Sequence, residues 1–312
     1  MTETAIHVED LTRDFSSVRA LDGLSLEVPS GIIFGFLGPN GSGKTTTINL
    51  LLGLLEPTAG RADVLGFDTR TQADEIRSRT GALLEHPGLY EQLSAEENLE
   101  FYGRVWQMAA VERQSRIKEL LTRMGLWERR GERVGKWSRG MKQKLALARA
   151  LIHHPPLVFL DEPTAGLDVV AAAAIRDDLA ALAAGQGVTV FMTTHNMAEA
   201  ERLCRQVAVI RQGKLVVLGH PDELRARAGS PQVEVVGTAF TDTVLNLLRA
   251  RSEVSAVEMQ DTHLLIHLKG EMGVAPLVSL MVSQGVQVEE VRKGKASLEE
   301  VFLTLMDEEE KR

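Results

Sequence analysis

The chain has 312 residues, of which 44% are hydrophobic and 25% are charged, and its formal net charge is -8. This composition is typical of a globular protein, and the length fits one large domain or two ordinary ones. The negative charge argues against a protein that binds nucleic acid mainly through phosphate attraction. The N-terminus has no pattern of a secretory signal, and no apolar run is long enough to span a membrane.

The first thirty residues alternate apolar and polar side chains, which is typical of half-buried strands. Apolar residues recur from Ile6 to Leu11 and again from Leu24 to Val28, and a turn around Phe15 separates the two runs. We therefore expect two strands here, each with one face toward a core.

A glycine-rich loop separates a buried strand predicted at 32–37 from a helix predicted at 46–52. Glycines let several backbone N–H groups point at one phosphate chain, and a helix N-terminus favours the same negative charge. We expect Lys44 to reach the β- and γ-phosphates of a nucleoside triphosphate, and the Thr45 hydroxyl to ligate Mg²⁺. The loop fits the pattern G-x-x-x-x-G-K-[ST] at every fixed position, and its residues are Gly38, Pro39, Asn40, Gly41, Ser42, Gly43, Lys44, Thr45 and Thr46.

The segment 71–135 has dense charge and helical spacing of its apolar residues. A capping-box pattern at Ser94 begins one helix. A second helix is predicted over 111–124, and a third begins at Ser138 and ends before two prolines. We therefore expect a helical subdomain at about 86–155, inserted into an α/β core.

A second apolar strand, at 157–160, ends in two adjacent acidic residues, Asp161 and Glu162. Open α/β sheets bind ligands at the carboxyl ends of their strands. We expect Asp161 to hold Mg²⁺ through water, and Glu162 to position or deprotonate an attacking water. Such a pair can also be a helix cap and a surface acid, but the phosphate loop upstream favours hydrolysis. Strands and helices alternate as far as residue 210, which predicts a parallel sheet.

The pattern changes again in the last third of the chain. A linker predicted at 229–231 precedes a small α+β module, for which a ferredoxin-like fold is a candidate. The expected domains are therefore 1–228 and 229–312. A helix is predicted at 297–306, followed by a charged tail.

The order of elements over 5–225 resembles the nucleotide-binding subunit of an ATP-binding cassette transporter. Segment 137–143 is similar to the signature motif of that family, and segment 163–168 to the segment that communicates across its dimer. Thr194 and His195 are similar to its switch-histidine motif. The resemblance implies a phosphate-loop α/β cassette with a mostly parallel core sheet, antiparallel N-terminal strands and an inserted helical subdomain.

The resemblance also implies roles for single residues. Ser138 and Gly140 would form an anion site at a helix start, which closes on the γ-phosphate held by a second copy. His195 would contact the γ-phosphate, Asp168 would lie in the segment at the dimer contact, and Phe15 would stack on adenine. The alternatives are that Ser138 and Asp168 are only helix caps and that Phe15 packs in the core.

Two positions depart from the family pattern. Arg139 stands where the signature usually has its first glycine, which leaves Gly140 for close backbone approach. Glu85 aligns with the glutamine that opens the loop between nucleotide and transporter, and its carboxylate is a candidate for contact with Mg²⁺ or its water. The alternative is that Gln92 serves there and that Glu85 is a loop acid.

The implied protein is a cytoplasmic ATPase subunit that binds ATP and Mg²⁺, dimerises around ATP and powers a separate membrane permease. The single cysteine, Cys204, fits a reducing compartment. The C-terminal module resembles an extension found in drug, antibiotic and sodium exporters, which favours export. Aromatic residues are candidates for the groove that docks the permease, with ordinary core packing as the alternative; they are Tyr90, Phe101, Tyr102 and Trp106.

Two other classes of protein are alternatives. The first is a cassette ATPase that acts on ribosomes or nucleic acid without a permease, which the acidic charge and the single phosphate loop disfavour. The second is a weakly hydrolysing resistance or regulatory protein, which Glu85 and Arg139 favour.

Overall fold

The computed structural model describes residues 4–228, 232–260, 262–270, 273–294, 298–299 and 301–302. The chain divides into two compact units, Met1–Gly219 and His220–Arg312. The linker predicted at 229–231 and most of the helix predicted at 297–306 lie outside the described residues. In the ranges that are described, no helix has both the length and the apolar character needed to cross a bilayer.

The first unit alternates strands and helices after an N-terminal hairpin. Its elements are β1 (Thr4–Phe15), β2 (Val18–Pro29), β3 (Ile33–Leu37), α1 (Lys44–Leu51), β4 (Ala59–Val64), β5 (Phe67–Asp68), α2 (Ala73–Arg79), β6 (Thr80–Leu83), α3 (Ala95–Val105), α4 (Ala110–Arg123), α5 (Arg139–Ala150), β7 (Leu157–Asp161), α6 (Val169–Gln186), β8 (Thr189–Thr194), α7 (Met197–Leu203), β9 (Gln206–Arg211) and β10 (Lys214–Gly219).

The central sheet of this unit has the strand order β10-β9-β3-β8-β7-β6. Strand β3 pairs in parallel with β8 and β9, and β7 pairs in parallel with β8 and β6. Only β10 runs antiparallel, against β9. The predicted parallel sheet is therefore confirmed, and the carboxyl ends of β3, β6, β7, β8 and β9 meet at one edge.

The middle of this sheet is buried on both faces, as expected for continuous apolar runs. Phe34 on β3, Phe159 on β7 and Phe191 on β8 are fully buried. The Phe34 and Phe191 rings stack at 5.4 Å between centroids, and Phe159 lies 5.6 Å from Phe191. Burial of each such side chain contributes roughly 1.5–3 kcal/mol, so these rings fix the three strands that position the site.

An antiparallel sheet is formed by the N-terminal strands, with the order β2-β1-β4-β5. Ile6 pairs with Val28 on one side and with Val64 on the other, and all three side chains are buried. The alternation of the first thirty residues therefore gives the predicted half-buried strands. Helices α3, α4 and α5 lie between β6 and β7 in the chain, and the capping box predicted at Ser94 is present.

The second unit is a small α+β fold. Its elements are α8 (Pro221–Ala228), β11 (Gln232–Thr238), α9 (Asp242–Arg249), β12 (Val254–Gln260), β13 (His263–Leu268), α10 (Ala275–Ser283) and β14 (Gln287–Gly294). The strands pair antiparallel in the order β12-β13-β11-β14. The β-α-β-β-α-β order of β11 to β14 with this sheet is the ferredoxin-like arrangement, so that expectation is confirmed.

Candidate active site

The glycine-rich loop 38–46 joins the carboxyl end of β3 to the first residue of α1. Gly41 and Gly43 have φ angles of 79° and 108°, in the region that favours glycine. A Cβ on Gly38 would lie 2.3 Å from the Ile210 carbonyl oxygen and 2.6 Å from Ser42 Oγ, so no larger residue fits. The loop therefore curls tightly in front of the helix N-terminus, where an anion is stabilised.

Ser42 supplies a test of whether this loop fits a phosphate group. The side chain is 2% exposed, and its Oγ finds no hydrogen-bond partner among the described residues. A buried hydroxyl without a partner is costly. A phosphate oxygen would accept a hydrogen bond from it, so the loop as folded fits a nucleotide phosphate.

Lys44 lies in the same loop and is almost fully buried. Its Nζ donates to the carbonyl oxygens of Gly38 at 2.8 Å and Pro39 at 3.2 Å. It also lies 3.3 Å from Glu162 Oε1. The ammonium group is thus held between the phosphate loop and the end of β7.

Asp161 is the last residue of β7, and each of its carboxylate oxygens accepts a hydrogen bond. Its Oδ2 accepts from Thr45 Oγ1 at 2.7 Å, and its Oδ1 accepts from Thr193 Oγ1 at 2.5 Å. Only 7% of the residue is exposed. Carboxylate and hydroxyl oxygens are ligands that suit Mg²⁺, so Thr45 and Asp161 together fit that ion.

Glu162 follows Asp161 in a left-handed backbone conformation with φ of 50°. Its Oε2 lies 2.8 Å from Nδ1 of His195, which comes directly after β8. Together with the Lys44 contact, this leaves one carboxylate between a cation and an imidazole. A carboxylate in this place can position or deprotonate a water molecule.

Lys44, Thr45, Asp161 and Glu162 line a cavity of about 590 Å³ together with other residues of the glycine-rich loop. Glu85, which follows β6, lines this cavity, whereas Gln92 does not belong to its lining. Within the described residues no group of three or more His, Cys, Asp or Glu side chains could hold a metal ion. A divalent ion at Thr45 and Asp161 therefore needs further oxygen ligands, such as those of a phosphate chain.

The cavity lining also contains residues that the sequence did not single out. Val18, Arg19 and Ala20 come from the start of β2, and Gln212 follows β9. Gln212 lies at the same sheet edge as Asp161, so the rule that ligands bind at the carboxyl ends of strands is the signal that finds it.

Phe15 is placed beside the cavity and is not part of its lining. It pairs with Val18 across the hairpin turn, and its ring is 39% exposed. The Arg13 guanidinium lies 4.5 Å from the ring centroid. Core packing, the alternative considered for Phe15, does not occur.

Comparisons with known proteins show the family of the chain. The family model described as "ABC transporter" matches residues 21–165, and the model "ATP-binding protein DrrA1-3-like, C-terminal domain" matches residues 219–306. The daunorubicin resistance ATP-binding protein DrrA3 of Streptomyces coeruleorubidus is 36% identical over 312 residues, which cover 98% of this chain and 96% of that protein. The chain belongs to the ABC transporter ATP-binding subunits.

Other relatives of the cassette agree. The bacitracin transport ATP-binding protein BcrA of Bacillus licheniformis is 35% identical over 306 residues, 97% of each chain. The structure of CbiO1 from Clostridium perfringens, part of the ABC transporter complex CbiONQ, has a TM-score of 0.67 and 27% identity and covers 72% of this chain and 91% of that one. The dimeric cassette MJ0796 bound to ADP and Pi has a TM-score of 0.63 and 26% identity, with 69% and 98% covered. The expected family, fold and ATPase activity are thereby confirmed.

The signature-motif residues of the cassette lie outside the cavity of about 590 Å³. Ser138 caps α5, since its hydroxyl oxygen accepts from the Met141 N–H at 3.3 Å. A Cβ on Gly140 would lie 2.8 Å from Ala171 Cβ, so this glycine allows α5 to approach α6. Asp168 caps α6 by accepting from the Ala171 N–H at 2.8 Å. A single chain therefore does not bring Ser138, Gly140 and Asp168 to its own phosphate loop.

A second cavity of the cassette, of about 280 Å³, opens between α3, α5 and β6. Tyr102 and Trp106 line it, and the Trp106 ring stacks on His153 at 4.0 Å between centroids. Burial lowers the pKa of His153 to about 4. Tyr90 and Phe101 contact each other at 4.8 Å and remain 47% and 40% exposed.

Proposed function

We propose that this chain is the cytoplasmic ATPase subunit of a membrane exporter, and that it works as a homodimer with a separate permease. The observation that carries export is the likeness over nearly the whole chain to subunits named for daunorubicin resistance and bacitracin transport. The match of residues 219–306 to a DrrA-like C-terminal domain supports the same class. It also favours an exporter subunit over the alternative classes of protein that have no permease.

The proposed roles follow from the contacts around the first cavity. The loop 38–46 and Lys44 bind the phosphates of ATP. Thr45, and Asp161 through water, would hold Mg²⁺ with Glu85 nearby, and the ion would neutralise negative charge on the phosphates. Glu162 accepts a proton from the attacking water. His195, whose Nδ1 lies 2.8 Å from Glu162 Oε2, would orient that carboxylate and contact the γ-phosphate.

The adenine end of the nucleotide is assigned to the hairpin of β1 and β2. Phe15 offers an exposed ring, and Val18 and Ala20 line the cavity next to it. An aromatic ring and an aliphatic side chain suit the flat face of a base. We assign the stacking role to Phe15, and we assign to Val18 a contact with the base from the other side of the hairpin turn.

The second half of each site is assigned to another copy of the chain. Ser138 and Gly140 begin α5 at its N-terminus, which suits an anion, yet they do not line the cavity of their own chain. Closure of two copies head to tail would bring them to the γ-phosphate, with Asp168 at the contact. The similar cassette MJ0796, bound to ADP and Pi, is described as a dimer, which supports a role for a second copy.

The permease contact is assigned to the second cavity and the exposed aromatics beside it. Tyr90 and Phe101 are large, apolar and exposed, and Val105, which lines the cavity, is 57% exposed. Aromatic side chains at a groove of this kind are typical anchors for a partner helix. We therefore expect the permease to dock here from the membrane side.

The test of the proposed function compares ATP turnover by the wild type and by Glu162→Gln. We expect the variant to bind ATP and to lose turnover by about 100-fold or more, because the general base is gone. The variant should also accumulate as a dimer with ATP in size-exclusion chromatography. Unchanged turnover in Glu162→Gln would exclude Glu162 as the base, and co-purification with ribosomes in place of a membrane protein would contradict the transporter role.

A further inference from the structure

Thr193, the second-last residue of β8, contacts both Asp161 and Glu162, although it does not line the cavity. The residue is fully buried, and it pairs with Asp161 in the register of β7 and β8. Its hydroxyl donates to Asp161 Oδ1 at 2.5 Å and accepts from the backbone N–H of Glu162 at 3.0 Å. The Thr193 carbonyl oxygen also accepts from that N–H, at 3.2 Å.

The bond to Asp161 fixes the plane of its carboxylate. Asp161 Oδ2 already accepts from Thr45 Oγ1, so the Thr193 hydroxyl holds the other oxygen on the opposite side. With one bond alone, the group could turn about its last side-chain torsion, which has a broad energy profile for carboxylates. With both, the direction in which the carboxylate faces Thr45 is set.

The bonds to the Glu162 N–H hold a strained backbone. A φ of 50° is unfavourable for a non-glycine residue and costs of order 1–3 kcal/mol. This conformation turns the Glu162 side chain toward Lys44 and His195. The surrounding structure must stabilise it, and the hydroxyl and carbonyl of Thr193 provide the two acceptors that do so.

We propose that Thr193 is a positioning residue that orients the metal-binding carboxylate and the catalytic base at the same time. The proposal rests on the roles proposed above for Asp161 and Glu162. Partners of metal ligands and of catalytic groups commonly change metal affinity or activity by about 10- to 100-fold when they are removed.

The experiment uses the full chain with three substitutions. Thr193→Val keeps the shape and removes the hydroxyl, and Thr193→Ser keeps the hydroxyl. Thr189→Val is the matched control, because Thr189 lies on the same strand, is buried, and accepts a bond from the Gly31 N–H at 2.9 Å away from the site.

We expect Thr193→Val to lower kcat by about 10- to 100-fold and to raise the Mg²⁺ concentration for half-maximal turnover by about 10-fold. The KM for ATP should stay near the wild-type value, since the phosphate loop is intact. Thr193→Ser should restore most of the activity. Thr189→Val should lower the melting temperature without changing kcat or the Mg²⁺ dependence.

A readout without turnover is the melting temperature with ATP and Mg²⁺ compared with ATP and EDTA. The extra rise that Mg²⁺ gives should shrink in Thr193→Val and persist in Thr189→Val. If Thr193→Val does not fold, Thr193→Cys takes its place, since it keeps the size with a weaker donor. Wild-type kcat and wild-type Mg²⁺ dependence in the folded variant would overturn the inference, as would equal losses in Thr189→Val. A wild type without Mg²⁺-dependent turnover would instead contradict the proposed function.

Discussion

At the scale of single residues, the site is a series of contacts between groups at the carboxyl ends of β3, β7 and β8. Thr45 follows β3 through the phosphate loop and bonds to Asp161 at the end of β7, and Glu162 contacts His195, which follows β8. Lys44 closes the series by its approach to Glu162. The groups that contact each other therefore follow or end different strands, so the position of each depends on the order of strands in the sheet.

Glu85, two residues after β6, gives a first test at this scale. Because Glu85 lines the cavity and Gln92 does not, we expect Glu85→Ala to lower ATP turnover by about 10-fold, the lower end of what loss of a partner to a metal ligand gives. Gln92→Ala should leave turnover unchanged. Steady-state ATPase assays measure both, and loss of turnover in Gln92→Ala with normal turnover in Glu85→Ala would show that Gln92 is the residue in contact.

A second test at this scale concerns His153, which lines the second cavity. Burial lowers its pKa to about 4 from the ordinary 6.5. His153 therefore becomes protonated below about pH 6.5 in the unfolded chain, but only below about pH 4 in the folded chain. The contribution of His153 to stability is complete above pH 6.5 and is lost as the pH falls toward 4, by at most about 1.4 kcal/mol per pH unit.

The matching substitution is His153→Phe, which keeps a ring against Trp106 and has no proton to gain. We expect its melting temperature to fall less than that of the wild type between pH 7 and pH 5. Thermal melts at several pH values measure the difference. Equal slopes in the two proteins would mean that His153 is not buried in solution.

At the scale of elements, several helices begin at capped residues, and the caps differ in what else they do. Ser94 and Ser138 each accept a backbone N–H three residues on, at 3.2 Å and 3.3 Å. Ser94 starts α3 and is buried, whereas Ser138 starts α5 and is exposed. The same type of serine cap is therefore buried at the start of α3 and exposed to solvent at the start of α5.

These two caps give a matched pair of substitutions. Ser94→Ala and Ser138→Ala should each lower the free energy of unfolding by about 1 kcal/mol, the typical cost of a lost cap. Only Ser138→Ala should also lower ATP turnover, by about 100-fold, as when a donor to developing negative charge is removed. Denaturant unfolding and ATPase assays separate the two effects. Equal turnover in the two variants would show that Ser138 is only a cap.

The elements were largely predictable from sequence because apolar periodicity and caps are local. The strand at 33–37, the phosphate loop and the capping box at Ser94 all follow from short segments. The role of Thr193 does not, because it depends on the register between β7 and β8. Every residue of these two strands is buried, so no alternation of apolar and polar side chains specifies that register. Likewise Val18 and Gln212 enter the lining through the arrangement of strands, with no motif of their own.

At the scale of the whole molecule, the proposed shared site rests on the separation of two groups of residues within one chain. The phosphate loop, Asp161 and Glu162 share one cavity, whereas Ser138 and Asp168 cap helices outside that cavity. A dimer that pairs the loop of one copy with the signature of another would complete two sites. ATP would then favour the closed dimer by binding it better than the open one.

The measurement that tests this sharing most directly mixes two inactive variants, Lys44→Ala and Ser138→Arg. Circular dichroism first establishes that both are folded. In a mixed dimer, one site combines the intact loop of the second variant with the intact signature of the first. The account predicts that the mixture regains ATP turnover that neither variant has alone. A mixture as inactive as its components, or full turnover by Ser138→Arg alone, would contradict it.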